Sequence, residues 1–503
     1  MCAELNHVFT PLDIGRITLK NRIELAPACF MLATHDGYVT RDMVAYFRNL
    51  AKGGAAVITI GETPIDRESA PAHEYSLNVG DDKVIHGLSD VVEAVHRFGA
   101  KLSIELNHSG RIKLMGALPI GPSNIPTELE EELAAAQGRP VRPVQEMTLE
   151  MIEDVIDKFA NAAERCLKAG MEMVMIHAGH GHLIGSFLSP YSNHRTDSYG
   201  GSLENRTKFA IRVIDEIRNR VGDRLAIEMR MSANELTPGG LVEEETIPFA
   251  KMMEGRVDLL HVSAGLLGNN RIVPEMIQPT YWPHCYHVHR AARFKQEVSI
   301  PITTIGSIPD IETADRIIAE GKADVVAMAR AILCDPEIVN KGRQGRMEDI
   351  RPCMRCFTCN KRTRYFNSIR CAVNPVLGRE LDYAELRPAL RQKKVIVIGG
   401  GPAGMEAART AAQRGHAVVL FEKGAQLGGN MTLAAGLALK EDLRRYCEFA
   451  VRQTTKAEGV EIRLGTEATP ELVGAEHPDA IVVCVGADPV LPKIPGADLP
   501  HVC

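Results

Sequence analysis

The sequence predicts an α/β protein: an N-terminal (β/α)8 TIM barrel, then a cysteine-rich segment, then a partial Rossmann-like domain. Three observations predict it. Eight short apolar runs alternate with helical patterns over the first two-thirds of the 503 residues. Four cysteines follow, Cys353, Cys356, Cys359 and Cys371, spaced C-x2-C-x2-C-x11-C. A glycine motif, Gly399-x-Gly401-x-x-Gly404, then opens a fresh strand–helix unit.

The apolar runs are IELAP at 23–27, AVITI at 56–60, LSIEL at 102–106 and MVMIH at 173–177. They continue with LAIEM at 225–229, LLHVS at 259–263, PITTI at 301–305 and DVVAM at 324–328. Strands buried on both faces read as such continuous runs. A barrel of this kind carries its chemistry at the C-terminal ends of its strands. Those ends hold Cys29, Gly61-Glu62, Asn107-His108, His177 to His182, Arg230, Ser263, Gly306-Ser307 and Arg330. One polar residue starting a loop means nothing; eight successive strand ends behaving alike point to an active site. A polar, helix-prone stretch, Thr127 to Gln137, reads as a surface insertion.

Composition narrows the function classes. The net charge of −6 lacks the basic surplus of a nucleic-acid binder, so a small-molecule substrate is expected and nucleic acid is not. No apolar run approaches the ~20 residues needed to cross a bilayer, so a soluble protein without a membrane partner is expected. The other cysteines are scattered without a pairing pattern, as in a reducing cytoplasm.

Three thiols within seven residues, with a fourth returned by a short loop, suit either a [4Fe–4S] cluster or a structural zinc ion. A disulfide framework fits poorly, because the N-terminus does not resemble a signal peptide. After the glycine motif a helix follows, and a second strand ends in Glu422. The glycines permit a tight turn and close approach of a pyrophosphate to a helix N-terminus, and Glu422 is placed to accept from a ribose hydroxyl. The Pro-Ala inside the motif and the later Gly428-Gly429 favour FAD over NAD. The expected organisation is residues 1–345 as barrel, 346–380 as the cysteine segment, 381–393 as linker and 394–503 as nucleotide-binding domain.

The motifs LKNRIELAP, ELNHSGR, FLSPYSNHRTDSYGGSLENR and IGSIPD, with the cysteine segment and GGGPAG, resemble the old yellow enzyme family. The likeness is to its multidomain branch, which contains 2,4-dienoyl-CoA reductase, 2-enoate reductase and trimethylamine dehydrogenase. It implies FMN in the barrel, a [4Fe–4S] cluster on the four cysteines and FAD in the following domain, with NAD(P)H as electron donor. It implies that Pro27, Ala28 and Cys29 line the FMN ring with Gly61 and Glu62 nearby. Asn107 would contact the pyrimidine, and Arg230 would face its N1–C2 edge. Gly306, Ser307, Ala329 and Arg330 would hold the phosphate. His177 and His180 would bind a substrate carbonyl oxygen, and His182, where the family commonly has Tyr, would protonate the α-carbon.

The resemblance therefore implies a reductase of α,β-unsaturated carbonyl compounds. The absence of a histidine between Ser263 and Ile272 leans toward the enoate type rather than the dienoyl-CoA type. The rivals are an amine demethylase similar to trimethylamine dehydrogenase, and a truncated, non-catalytic electron-transfer subunit. Members of the branch usually nest a second dinucleotide motif where this chain stops, so a C-terminally truncated chain is expected. Barrels of this family often associate, which keeps a homo-oligomer open.

Overall fold

The computed structural model describes residues 5–70, 73–112, 118–488, 490, 493–497 and 499. It holds two compact units, one reaching to Glu385 and one starting at Leu386. Among the described residues no helix is long and apolar enough to cross a membrane.

In the first unit eight parallel strands close into a barrel. In chain order they are Ile23–Leu25, Val57–Pro64, Lys101–Asn107, Met173–Ala178, Ala226–Ser232, Leu259–Ser263, Ile302–Thr304 and Val325–Ala327. Each lies on one of the eight apolar runs. The last strand closes on the first through Val326 opposite Ile23 and Ala327 opposite Glu24. The surrounding helices start where side-chain caps are available. Thr40, Thr148, Ser202 and Asp310 accept from the backbone N–H three residues on, which satisfies one orphan donor each. The polar stretch after Thr127 is the capped helix Glu128–Gln137.

Strand alternation stacks the barrel interior in layers. At the bottom, Val57, Met173, Ala226, Leu259 and Val325 pack on Ile14, Ile17 and Leu19. The latter three belong to an antiparallel pair of strands, Leu12–Ile14 and Ile17–Leu19, that stoppers this end. Above lies a polar layer containing Glu24, Thr59, Ser103, Glu228, His261 and Thr303, all at most 1% exposed. Burial, with Glu228 beside it, pushes the Glu24 carboxyl up to about 8, and burial does the same to Glu228. The top layer carries Glu105, His177, Arg230 and Ser263 at the strand ends.

The cysteine segment is fastened to the barrel unit. Ile369 N–H donates to Phe30 O (3.0 Å), Asn374 to Leu333 O (2.9 Å) and Arg355 to the carbonyls of Trp282 (2.6 Å) and Thr280 (3.0 Å).

The second unit is a parallel sheet in the order Val460–Arg463, Ala417–Phe421, Lys394–Ile398, Ala480–Val483. Its glycine loop is built as the motif requires. Gly399 has φ of +102°, and a Cβ on Gly404 would sit 1.8 Å from the Gly399 carbonyl. Space beside Gly401, the cap of helix Pro402–Gln413, is open. Glu422 accepts from the N–H groups of Gly400 and Gly424, both at 2.7 Å.

Truncating the stopper tests its weight. Leu19→Ala is expected to destabilise the barrel by about 2–4 kcal/mol, read as a lower urea midpoint at unchanged slope. An unmoved midpoint would mean that the strand pair does not carry the barrel floor.

Candidate active site at the barrel mouth

The chemistry-bearing side chains converge at the C-terminal ends of the strands. Glu105, near the end of the third strand, accepts from Arg230 of the fifth strand (2.9 Å) and from the backbone N–H of Glu62 (3.0 Å). Its other neighbour is His177, whose Nδ1 lies 3.6 Å from Glu105 Oε1. Cys29 donates its S–H to Glu62 Oε2 (2.8 Å), and His73 Nε2 stands 3.3 Å from Glu62 Oε1. Burial works against the Glu62 charge, but His73, His182 and the thiol hold its carboxyl below the ordinary range. Burial and the Glu62 carboxylate push the Cys29 thiol up, so it stays protonated.

His177, His180 and His182 are all buried, and burial holds each imidazole well below its usual 6.5. They are therefore neutral at neutral pH. His177 Nε2 and His180 Nδ1 lie 2.8 Å apart, and His180 Nε2 lies 2.8 Å from Ser263 Oγ. The Glu105 carboxylate favours a proton on His177 Nδ1, so His180 Nδ1–H donates to His177 Nε2 and Ser263 donates to His180 Nε2. Two expectations are modified here. His177 and His180 bond to each other rather than leaving two donors aimed at one site. His182 is not protonated at the outset; its ring lies over His177 (centroids 4.0 Å apart) with Nδ1 buried and lacking a hydrogen-bond partner.

Other orphan atoms mark where a ligand fits. Both amide atoms of Asn107 are buried without partners, as is Arg230 Nε. Such groups are costly unless something hydrogen-bonds to them. After the seventh and eighth strands, where barrels of this class commonly bind phosphate, Ser307 and Arg330 join through the Ser307 hydroxyl. Gln278 braces both, accepting from Ser307 (3.0 Å) and, through its carbonyl, from Arg330 (2.7 Å). Gly306 takes φ of +132°, and a Cβ there would lie 2.7 Å from His287 N. Ala329 caps the short helix Arg330–Cys334. A Cβ on Gly61 would strike Ala28, the residue after Pro27, at 2.2 Å.

The four cysteines line one pocket together with Arg330, Arg355 and Phe357. Arg355 and Phe357 both adopt positive φ (49° and 62°), a strained turn that folds the C-x2-C-x2-C run around the pocket. Arg330 lies over the Phe357 ring at 5.5 Å. Cys371 is held down to about 6 by a hydrogen bond from Cys334, while burial pushes Cys353 up to about 12. Among the described residues, the trios with ligand atoms all within 4.8 Å are Cys29–Glu62–His73 and Glu24–Glu228–His261; no three of the four cysteines do so.

The family model described as NADH:flavin oxidoreductase / NADH oxidase matches residues 7–349. The chain belongs to this family. A second model, pyridine nucleotide-disulphide oxidoreductase, matches residues 393–503. The NADH oxidase of Thermoanaerobacter brockii is 38% identical over 98% of this chain and 74% of its own length. The cinnamate reductase of Clostridium sporogenes is 33% identical over 98% of the chain and 76% of its own. The N,N-dimethylglycine/sarcosine dehydrogenase of Chromohalobacter salexigens is 32% identical over 97% and 70%. A solved 2-naphthoyl-CoA reductase complex superposes with a TM-score of 0.91 at 31% identity, covering 99% of this chain and 76% of that one. The family is a flavin-binding one, its model covers the barrel, and the orphan atoms lie at that barrel's mouth. Asn107 and Arg230 fit a flavin pyrimidine, and Ser307 and Arg330 fit the phosphate of FMN.

Reading the sequence missed Glu105, His73 and Gln278. Glu105 had a usable signal, since it shares a strand face with Asn107 and Arg230 needed a carboxylate. His73 and Gln278 sit on irregular segments with no periodic signal.

Two predictions follow from this geometry. Glu105→Gln leaves the Arg230 charge uncompensated, so the midpoint potential of bound flavin should rise by tens of millivolts in a reductive titration. An unchanged potential would place the pair away from the ring. The unfolded chain takes up protons on the three histidines below about pH 6.5 while the folded chain resists, so stability is full above that pH and falls below it. Relative to wild type, His182→Gln should therefore lose less stability as the pH falls below about 6.5, by up to about 1.4 kcal/mol per pH unit in urea titrations at successive pH values.

Proposed function

We propose that this flavin oxidoreductase reduces the C=C bond of an α,β-unsaturated carbonyl compound, an enoate or an enoyl-CoA ester. Electrons would come from NAD(P)H through FAD and a [4Fe–4S] cluster to FMN. The observation that carries the reading is the cluster of three neutral, buried imidazoles at the barrel mouth, two of them, His177 and His182, with an unpartnered nitrogen. Neutral N–H donors suit an oxygen that gains negative charge, as the carbonyl oxygen of a substrate does when its β-carbon accepts a hydride.

FMN, when bound and reduced, would supply that hydride chemistry. Asn107 would hold the ring edge, and Arg230, steadied by Glu105, would oppose charge on it. Ser307 and Arg330 would take the phosphate. His177 and His180 would bind the substrate carbonyl oxygen, whose entry must break their 2.8 Å link, and His182 would stand at the α-carbon. Two electrons and two protons saturate the double bond. His182, neutral at the start, reaches the α-carbon proton step only as a weak acid, so the proton is drawn from water through it.

The cysteine geometry supports the cluster over zinc. Tetrahedral Zn–S bonds put sulfurs about 3.8 Å apart, tighter than any trio of these four thiols. The names of the cinnamate reductase and the 2-naphthoyl-CoA reductase support the reductase reading. The sarcosine dehydrogenase keeps amine oxidation as the second reading.

Anaerobic stopped-flow separates them. Dithionite-reduced holoenzyme should be reoxidised by a cinnamate-type enoate or an enoyl-CoA ester, and oxidised holoenzyme should not be bleached by a tertiary amine. Bleaching by the amine with no reoxidation by either alkene would overturn the reductase reading. His182→Ala should slow the alkene step about 100-fold and leave dithionite reduction unchanged. Cys371→Ala should cut iron from about four atoms per chain to a small residue by colorimetric analysis.

A further inference from the structure

The polar middle layer of the barrel is unexplained by flavin chemistry. Interiors of such barrels are filled mainly by branched apolar side chains, yet here two carboxylates and an imidazole meet with none of them exposed to solvent. His261 Nδ1 lies 3.3 Å from Glu228 Oε1 and 3.8 Å from Glu24 Oε2. Glu24 Oε2, Glu228 Oε2 and both nitrogens of His261 are buried without a hydrogen-bond partner. Arg230 lies two residues beyond Glu228 on the same strand, about 6.6 Å higher, and its guanidinium is bound to Glu105 instead. Four polar atoms sealed from water without hydrogen-bond partners are costly.

We propose that Glu24, Glu228 and His261 bind one divalent zinc-class ion inside the barrel, below the flavin site. One ligand atom from each lies within 4.8 Å of the others. Zn–N and Zn–O bonds of about 2.0–2.2 Å put tetrahedral donors about 3.4 Å apart, the spacing that these atoms approach. One imidazole with two carboxylates is a ligand set that zinc accepts. The surroundings fit as well. Thr59 donates to Glu24 Oε1 (2.7 Å) and Thr303 to Glu228 Oε1 (3.1 Å), leaving Oε2 of each carboxylate free to turn to the ion. Hydroxyls in that position orient ligating carboxylates. The ion's two positive charges would take the place of the carboxyl protons and balance the two carboxylates. The apolar floor of Val57, Met173 and Leu259 below seals it from water. In the other close trio, Cys29–Glu62–His73, only His73 Nδ1 lacks a partner: the thiol donates to Glu62 and His73 Nε2 faces the other carboxylate oxygen.

The test uses holoenzyme grown with zinc, washed with EDTA and analysed by plasma mass spectrometry for zinc and manganese beside iron. The wild type should retain about one equivalent of zinc per chain. Glu228→Gln and His261→Gln should hold at least tenfold less, and Cys29→Ser should keep the wild-type amount. Where the glutamine variants do not fold, zinc-edge anomalous diffraction from wild-type crystals should place one peak between the three side chains. A wild-type protein without zinc or manganese, a peak elsewhere, or zinc lost from Cys29→Ser but kept by Glu228→Gln would overturn the proposal.

Discussion

The Glu105 carboxylate accepts at once from the Arg230 guanidinium and from the backbone N–H of Glu62, and it lies against His177. Four of the eight strands and the loops after them therefore take their positions from one buried anion. It fixes the direction of Arg230, it holds the left-handed turn at Glu62 (φ 45°), and it biases the proton on His177. That bias passes along His180 to Ser263 and settles which imidazole nitrogens carry hydrogen. A paired buried charge of this kind is maintained by geometry rather than by net electrostatic gain. Its value lies in the single arrangement it allows.

The barrel beneath supplies the rigidity. An apolar floor stoppered by the strand pair at residues 12–19, a polar middle layer and a chemically dense mouth are stacked by nothing more than strand alternation. Neutral histidines are the common currency of the upper part. Burial is what keeps them neutral, and the same burial removes water that would compete for their N–H groups.

Much of this was legible in the sequence. All eight strands were readable because a strand covered on both faces must be continuously apolar, and the glycine loop because only glycine fits against Gly399 O and at the turn. The four cysteines were readable from spacing alone, and the mouth residues followed from where strands end. What was not legible depended on partners distant in sequence. Glu105 stands 125 positions from Arg230, inside a run that reads simply as a strand. The stopper strands are three residues each, too short for a periodic signal. The pairing of His177 with His180 and the neutral state of His182 arise from packing density, which no spacing reports.

Arg330 reaches in two directions, to the Ser307 hydroxyl at the barrel mouth and over the Phe357 ring in the wall of the cysteine pocket. An anion arriving at Ser307 draws on the same guanidinium that lowers the charge cost at Cys353 and Cys359. Filling one cavity thus alters the energy of filling the other. By linkage that coupling is reciprocal: whatever the first occupant gains or costs at Arg330, the second feels in equal measure.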